Sequence, residues 1–166
     1  MSDWIVDQGN TRLKLGVYSR GELSQTLVNE AALNWMRHNH SDSKNVLLAA
    51  SGSVSEELKE ALATCSGKVI QLEPGMDSGI QLDYDTPETL GWDRIANAAA
   101  VTQIDAHAVW AIIDAGTCIT CDLVSSGTFF GGSIAPGIDL RLRAMYAGTA
   151  SLPLVEHWKE RLDSWK

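Results

Sequence analysis

With 166 residues, 45% of them hydrophobic, the chain can bury a real core as one domain or two very small ones. Its formal charge of −8 argues against a nucleic-acid-binding surface, which needs clustered Lys and Arg, so an anionic ligand must be held by local chemistry. No run approaches the roughly 18 apolar residues of a membrane span, and the opening MSDWIVDQGN has neither a basic segment nor a signal-like apolar core; a soluble, cytoplasmic protein without membrane contact is expected.

Trp4 to Asp7 and Thr11 to Tyr18 read as two strands of a hairpin, and Ser19 to Glu22 is a turn leading to a third strand, Leu23 to Val28. A helix is expected from about Glu30 to Arg37 with Asn29 as its cap, and NVLLAA, Asn45 to Ala50, is a short apolar run typical of a buried strand. Ser53-Val-Ser-Glu56 has capping-box spacing, and Val54, Leu58, Leu62 and Cys65 recur at helical intervals before Gly67 ends the helix. KVIQLE makes the next strand, so the order to this point is βββαβαβ.

From Pro74 to Asp85 the chain reads as loop. TPETLGWDRIANAAAVTQ then offers a Thr cap, Pro at the first helical position and an Ala-rich body, a helix joining two halves. After it, HAVWAIIDAG, TCITCDLVSS and GTFFGGS repeat the three-strand opening, with Ser125-Ser126-Gly127 in the part of the earlier Arg20-Gly21 turn. Pro136-Gly137 starts a helix to about Tyr146, so βββα is followed by βββα, a repeat weak in letters and clear in pattern. The expected division is a first half, 1–85, a connecting helix, 86–105, and a second half, 106–166. At the end of the chain Val155, Trp158, Leu162 and Trp165 sit at spacings of three and four, an amphipathic stripe that something must cover.

Three cysteines, Cys65, Cys118 and Cys121, suit a reducing compartment better than a disulfide framework. Cys118 and Cys121 invite a metal or redox reading, but on a strand residues three apart face opposite ways and no second pair completes a zinc site; small buried residues of a sheet are expected. His38, His40, His107 and His157 show no ligand spacing beyond the His38/His40 pair in an expected loop, and no role follows for them.

The chemistry-bearing feature is the repeated strand-end acid. IVDQGNTRLKLGVY places Asp7 at the end of an apolar run before Gly-Asn-Thr, and IIDAGTCITCDLV places Asp114 in the same way before Gly-Thr. A lone Asp-x-Gly is common in hairpin turns. Two of them, each opening a three-stranded meander, point to a polyphosphate handled between two half-domains. The turns offer backbone N–H groups and a hydroxyl to phosphate oxygens, and an acid at the strand end can hold Mg²⁺, directly or through water. Lys14, on the strand leaving the first turn, is placed to approach the terminal phosphate, and an inward Lys on an otherwise apolar strand is costly without a partner.

Four separated motifs, DQGNTRLK, YDTPETLGWDR, DAGTCITCD and GGSIAPGIDLRLRAMYAGTASLP, then carry a resemblance through nearly the whole chain. The sequence resembles type III pantothenate kinases, enzymes of the first step of coenzyme A synthesis in the actin, sugar-kinase and Hsp70 superfamily. The resemblance implies an α/β chain with a duplicated actin-like (ribonuclease H-like) ATPase fold, its first half βββαβαβ. It also implies ATP-dependent phosphorylation of pantothenate to 4'-phosphopantothenate. By match, ATP would meet Asp7, Gln8, Gly9, Asn10, Thr11, Arg12, Leu13 and Lys14, together with Thr117. Pantothenate would meet Tyr84, Gly91, Trp92, Asp93 and Arg94, with Asp93 as proton acceptor. Asp114 would hold a monovalent cation, K⁺ or NH₄⁺, and Asp7 would hold Mg²⁺, directly or through water. These roles also make chemical sense alone: a primary alcohol needs a base, an Arg suits a carboxylate-bearing substrate, and Mg²⁺ with Lys14 offsets charge on the transferred phosphoryl. For Asp93-Arg94 the plain alternative is a helix-start dipole contact with a surface ion pair, and for Tyr84 and Trp92 simple packing.

The family pattern runs on past the Pro136 to Ala147 helix, where further elements close over adenosine and supply a threonine to the pantothenate site across a homodimer contact. Here only LVEHWKERLDSWK remains, so the expectation is a C-terminally truncated second half with slow or no turnover, self-associating through the surface from Pro136 to Trp165. The alternatives are a non-catalytic accessory or binding member of the family, and another small-alcohol kinase of the superfamily.

Overall fold

The structure, a computed structural model, describes residues 1–156; Trp158, Leu162 and Trp165 of the terminal stripe, and His157, lie outside the described residues. Nine strands, four α-helices and two short 3₁₀ turns build two sheets among these residues. The first contains β1 (Ser2–Gln8), β2 (Leu13–Ser19), β3 (Glu22–Val28), β4 (Ser43–Ala50) and β5 (Lys68–Gln71), with α1 (Asn29–Asn39) and α2 (Glu56–Ala63) between them. The second contains β6 (Gln81–Leu82), β7 (Val109–Ala115), β8 (Cys118–Ser125) and β9 (Thr128–Pro136), with α3 (Trp92–Ile104) before β7 and α4 (Ile138–Gly148) after β9.

The first sheet has the order β3-β2-β1-β4-β5, antiparallel through the opening meander and parallel where β4 and β5 join. Period-2 alternation decides its faces. Trp4 and Val6 of β1, Leu15 and Val17 of β2, and Val46 and Leu48 of β4 are buried against Ala32 and Met36 of α1 and Leu58 and Leu62 of α2. Trp4 donates from its indole N–H to Ser2 Oγ at 2.9 Å, so its one polar atom is satisfied inside, and its ring meets Trp35 edge-on at 5.1 Å. The expected βββαβαβ order is therefore observed, and the second sheet, ordered β6-β9-β8-β7, repeats the meander. Around it Leu90, Ile95, Ala98, Val124 and Phe129 form a second, separate core, which makes α3 a part of the second half's packing.

Five local expectations need correction. Asn29 does not cap α1: it is the helix's first residue at φ 51°, and its Oδ1 accepts the N–H of Leu13 at 3.1 Å, so the side chain ties helix to hairpin instead. The cap of α2 is Ser55, whose hydroxyl accepts from the Leu58 N–H at 3.4 Å, two residues later than the Ser53 box predicted. The Thr86-Pro87 start signal opens only a 3₁₀ turn, Pro87–Thr89; Leu90 turns extended to enter the core, and α3 begins anew with Gly91 as its N-cap. Within the stretch read as loop, Gln81 and Leu82 pair in parallel with Thr128 and Phe129, adding an edge strand to the second sheet. Cys121 also departs from the expected burial, being exposed on the open face of β8 while Cys118 is half-buried; no described cysteine forms a disulfide, and burial raises the Cys65 thiol pKa against a smaller lowering by Ser43.

The cap assignment has a measurable consequence. Ser55→Ala is expected to cost about 1 kcal/mol in urea unfolding, whereas Ser53→Ala should stay within about 0.5 kcal/mol of the parent. Equal losses in the two variants would return the cap to Ser53.

Candidate active site

The repeat puts Asp7 and Asp114 at matching strand ends. Asp7 pairs across β1 and β2 with Lys14, and Asp114 pairs across β7 and β8 with Thr120. Each acid lies on the sheet face opposite the residue before it, Val6 or Ile113. Asp114 accepts a long hydrogen bond from the Asn97 amide of α3 at 3.5 Å, and Asp7 lines a cleft of about 390 Å³ that also takes in Asn10, Trp92 and Asp93. Both acids thus face the region where α3 runs between the sheets.

Within the first hairpin the Lys14 ammonium stands 3.2 Å from Asp7 Oδ2, an exposed pair. The neighbour an inward Lys was expected to need is therefore the strand-end acid, and the side chain reaches outward. The turn is closed by the Gly9 N–H donating to the Arg12 carbonyl at 2.9 Å, and the Leu13 N–H is taken by Asn29. Among the described residues the N–H groups of Asn10, Thr11 and Arg12 have no protein acceptor, and all three residues are exposed. Gln8 is committed elsewhere: its amide donates to the Ser53 carbonyl at 2.8 Å and accepts from the Ser55 N–H at 3.0 Å, bracing the hairpin against the loop before α2. Across the interface the hydroxyls of Thr11 and Thr117 share a hydrogen bond at 2.7 Å, so the tips of the two hairpins touch.

Asp93 is exposed in the first turn of α3 and accepts the N–H of Arg94 at 2.9 Å. Its carboxylate folds over Gly91, where a Cβ would collide with Oδ1, so a glycine at the N-cap is needed for that rotamer. Trp92 lines the cleft with one side and packs on the second core with the other. Tyr84 and Arg94 do not line this cleft. They meet each other on the second-sheet side of α3, the guanidinium 5.9 Å from the Tyr84 ring and 5.6 Å from the Phe129 ring. Arg94 is buried and bound to Asp122 of β8, and this hydrogen-bonded pairing raises its pKa further above the usual guanidinium range. Tyr84 is pressed against Gly131, where φ is +81° and a Cβ would lie 2.8 Å from the ring.

Two groups of residues thus emerge: Asp7, Asn10, Trp92 and Asp93 at the cleft with Lys14 beside Asp7, and Tyr84, Arg94 and Asp122 behind α3. A larger groove of about 470 Å³, lined by Leu48, Val54, Leu62 and Val69 beside α2, gathers none of the sequence-selected residues and is mainly apolar. Asp122 was missed by sequence reasoning because one acid on an alternating strand reads as an outward residue; only the position of Arg94 reveals its burial.

Comparison with known proteins places this geometry. A family model described as type III pantothenate kinase matches residues 4–165. A type III pantothenate kinase of Christiangramia forsetii is 34% identical over 158 residues, covering 91% of this chain and 64% of the relative. One from Azobacteroides pseudotrichonymphae is 33% identical over 158 residues, covering 91% and 63%. The chain therefore spans just under two thirds of the length of these relatives. Among solved structures, a Baf family protein from Campylobacter jejuni shares the fold with a TM-score of 0.51 at 24% identity, over 89% of this chain and 60% of that one.

Proposed function

The chain belongs to the type III pantothenate kinase family, and from that premise we propose that it serves ATP-dependent phosphorylation of pantothenate to 4'-phosphopantothenate, the first step of coenzyme A biosynthesis. The observation that carries the reading is the shared cleft, to which the first hairpin brings Asp7 and Asn10 and α3 brings Asp93. In this reading the unpartnered N–H groups of Asn10, Thr11 and Arg12, with Lys14 and Thr117, hold the phosphates of ATP, and Asp93 accepts the proton of the attacking alcohol. Tyr84, Arg94, Gly91 and Trp92 form the pantothenate side.

Mg²⁺ suits the donor set at Asp7. No group of three or more His, Cys, Asp or Glu able to hold a metal exists among the described residues, and Mg²⁺ characteristically takes one or two carboxylates and fills its shell with water and phosphate oxygens. When bound it would neutralise charge on the transferred phosphoryl. Asp114, exposed beside the Asn97 amide, offers a hard oxygen for K⁺ or NH₄⁺. No described helix is long and apolar enough to cross a membrane, and a cytoplasmic site of action is part of the proposal. The natural assembly in this reading is a homodimer. Ile138, Leu140, Met145 and Tyr146 of α4, with Leu152 and Leu154 beyond it, are all exposed, and none of the residues of α4 is buried.

Asp93→Asn, introduced into the natural protein, is expected to abolish phosphorylation of pantothenate while leaving ATP binding largely intact, because it removes a proton acceptor and no phosphate contact. Turnover within tenfold of the parent would take Asp93 out of that role. In the same assay activity should depend on K⁺ or NH₄⁺ and be poor in Na⁺ alone; indifference to the cation counts against Asp114 as its ligand. Self-association is read by sedimentation: the parent should run as a dimer at micromolar concentration and a Tyr146→Glu, Leu152→Glu variant as a monomer. A monomeric parent, or a variant that stays dimeric, removes this surface as the contact.

A further inference from the structure

Asp122 is a residue that neither the repeat nor the family match assigns a role, and its surroundings call for one. It lies on β8 with its side chain only 2% exposed, opposite Ile112 on β7 and Gly132 on β9. Its two oxygens accept from Arg94 Nε at 3.1 and 3.0 Å, and Oδ1 also accepts from Nη2. A fork of this kind fixes the plane of the guanidinium as well as its position. The third nitrogen, Nη1, takes no part in the fork, and the group sits 5.9 Å from the ring of Tyr84.

Stability is a poor explanation for such a pair. Taking both charges out of water costs about as much as their attraction returns, and apolar residues of similar volume at such positions are often neutral or stabilising. Orientation is the better account, because the pair sits next to functional groups on both sides. Arg94 follows Asp93 directly, and its backbone N–H holds Asp93 Oδ1 at 2.9 Å. The Tyr84 ring is in turn confined by Gly131 of β9. A single carboxylate on β8 therefore holds the guanidinium carried by the first turn of α3, on the side of the helix where Tyr84 lies.

We propose that Asp122 is a positioning residue of the acceptor site: it holds Arg94 so that Nη1, with Tyr84, meets the anionic end of the acceptor while Asp93 faces its alcohol. This rests on the assignment of Asp93 and Arg94 to the acceptor given above. Asp122 itself touches no substrate and acts through Arg94.

The test measures binding of Mg·ADP and of pantothenate separately, by calorimetry, together with thermal unfolding and the KM and kcat for pantothenate. The natural protein is compared with its Asp122→Asn and Asp122→Glu variants. Asp122→Asn is expected to bind Mg·ADP within twofold of the parent, to lose about tenfold or more in pantothenate affinity, and to raise KM more than it lowers kcat. Asp122→Glu, which keeps the charge, should recover part of that loss. A merely structural pair would lower the melting temperature and leave the ratio of the two affinities unchanged. Should Asp122→Asn fail to fold, Asp122→Glu decides: weakened pantothenate binding at unchanged Mg·ADP binding supports the role, and unchanged binding of both overturns it. A folded Asp122→Asn that keeps pantothenate affinity within twofold overturns the inference and leaves the acceptor assignment standing. A parent that binds Mg·ADP but no pantothenate overturns the acceptor assignment, and this inference with it.

Discussion

A carboxylate almost wholly excluded from water has to be neutralised by a neighbour, and on β8 that neighbour is Arg94. The consequences run outward from this pair. Arg94 is in the first turn of α3, so Asp122 fixes where the helix begins on the second sheet and how it is rotated about its axis. Ile95 and Ala98 then fall into the second core with Val124 and Phe129, and the exposed face of the same turn carries Asp93 toward the first hairpin. The orientation of the cleft residues goes with the pairing: if α3 were rotated by the angle between successive residues, about 100°, Asp93 would take the place of Arg94 and Arg94 that of Ile95. A charged acid would meet Asp122 and a buried site would lose its cation.

Much of the fold was legible because hairpins write themselves into sequence twice, once as period-2 alternation and once as turn residues. β1, β2, β7 and β8 were found on both signals, and the Asp-x-Gly pairs that end β1 and β7 marked the repeat. What misled was local chemistry that is correct in isolation. Thr86-Pro87 is a good helix start and does start a turn, but Leu90 gains more by entering the second core in an extended conformation than the helix gains by continuing. Asn29 is a good cap whose oxygen was claimed by the Leu13 N–H of the adjoining strand. β6 has two residues, too few for any periodicity, and exists because Gln81 and Leu82 find β9. Asp122 was illegible for the deepest reason: a buried acid is defined by its partner 28 residues away, and no local pattern carries that distance.

The two halves share a plan and differ in how their sheets are covered. With Asp7 and Asp114 as the common point, Trp4, Val6, Leu15 and Val17 of the first sheet correspond to Ala111, Ile113, Cys121 and Leu123 of the second. The first set is sealed by α1 and α2, and Val6 is 0% exposed; in the second Ile113 is 71% exposed and Cys121 is open to solvent. β7 also lacks, among the described residues, the parallel neighbour that β4 gives β1. The opposite face of the second sheet is the one closed by α3 and anchored by Asp122. The face under α3 is therefore the better packed of the two.

For a chain with a formal charge of −8, the proposed handling of a polyphosphate needs a reason why the anion would not be repelled, and the candidates are the short-range groups of the hairpin. Exposed charges more than a Debye length away, roughly 8 Å at physiological salt, are largely screened, so the global excess of acid matters less than the groups within one turn. There the N–H groups of Asn10, Thr11 and Arg12 have no protein acceptor among the described residues, Asn10 lines the cleft, and the acid that would repel a phosphate, Asp7, already has Lys14 at 3.2 Å. The pair leaves the turn close to neutral before any ion arrives. In the proposed reading Asp7 would be the residue to hold a divalent cation, which would supply charge neutralisation at the phosphates, with Lys14 beside it as the neighbouring cationic side chain. The cross-strand register sets Asp7 opposite Lys14 on one face, and a one-residue slip of either strand would turn that strand's member of the pair to the core face and separate the two.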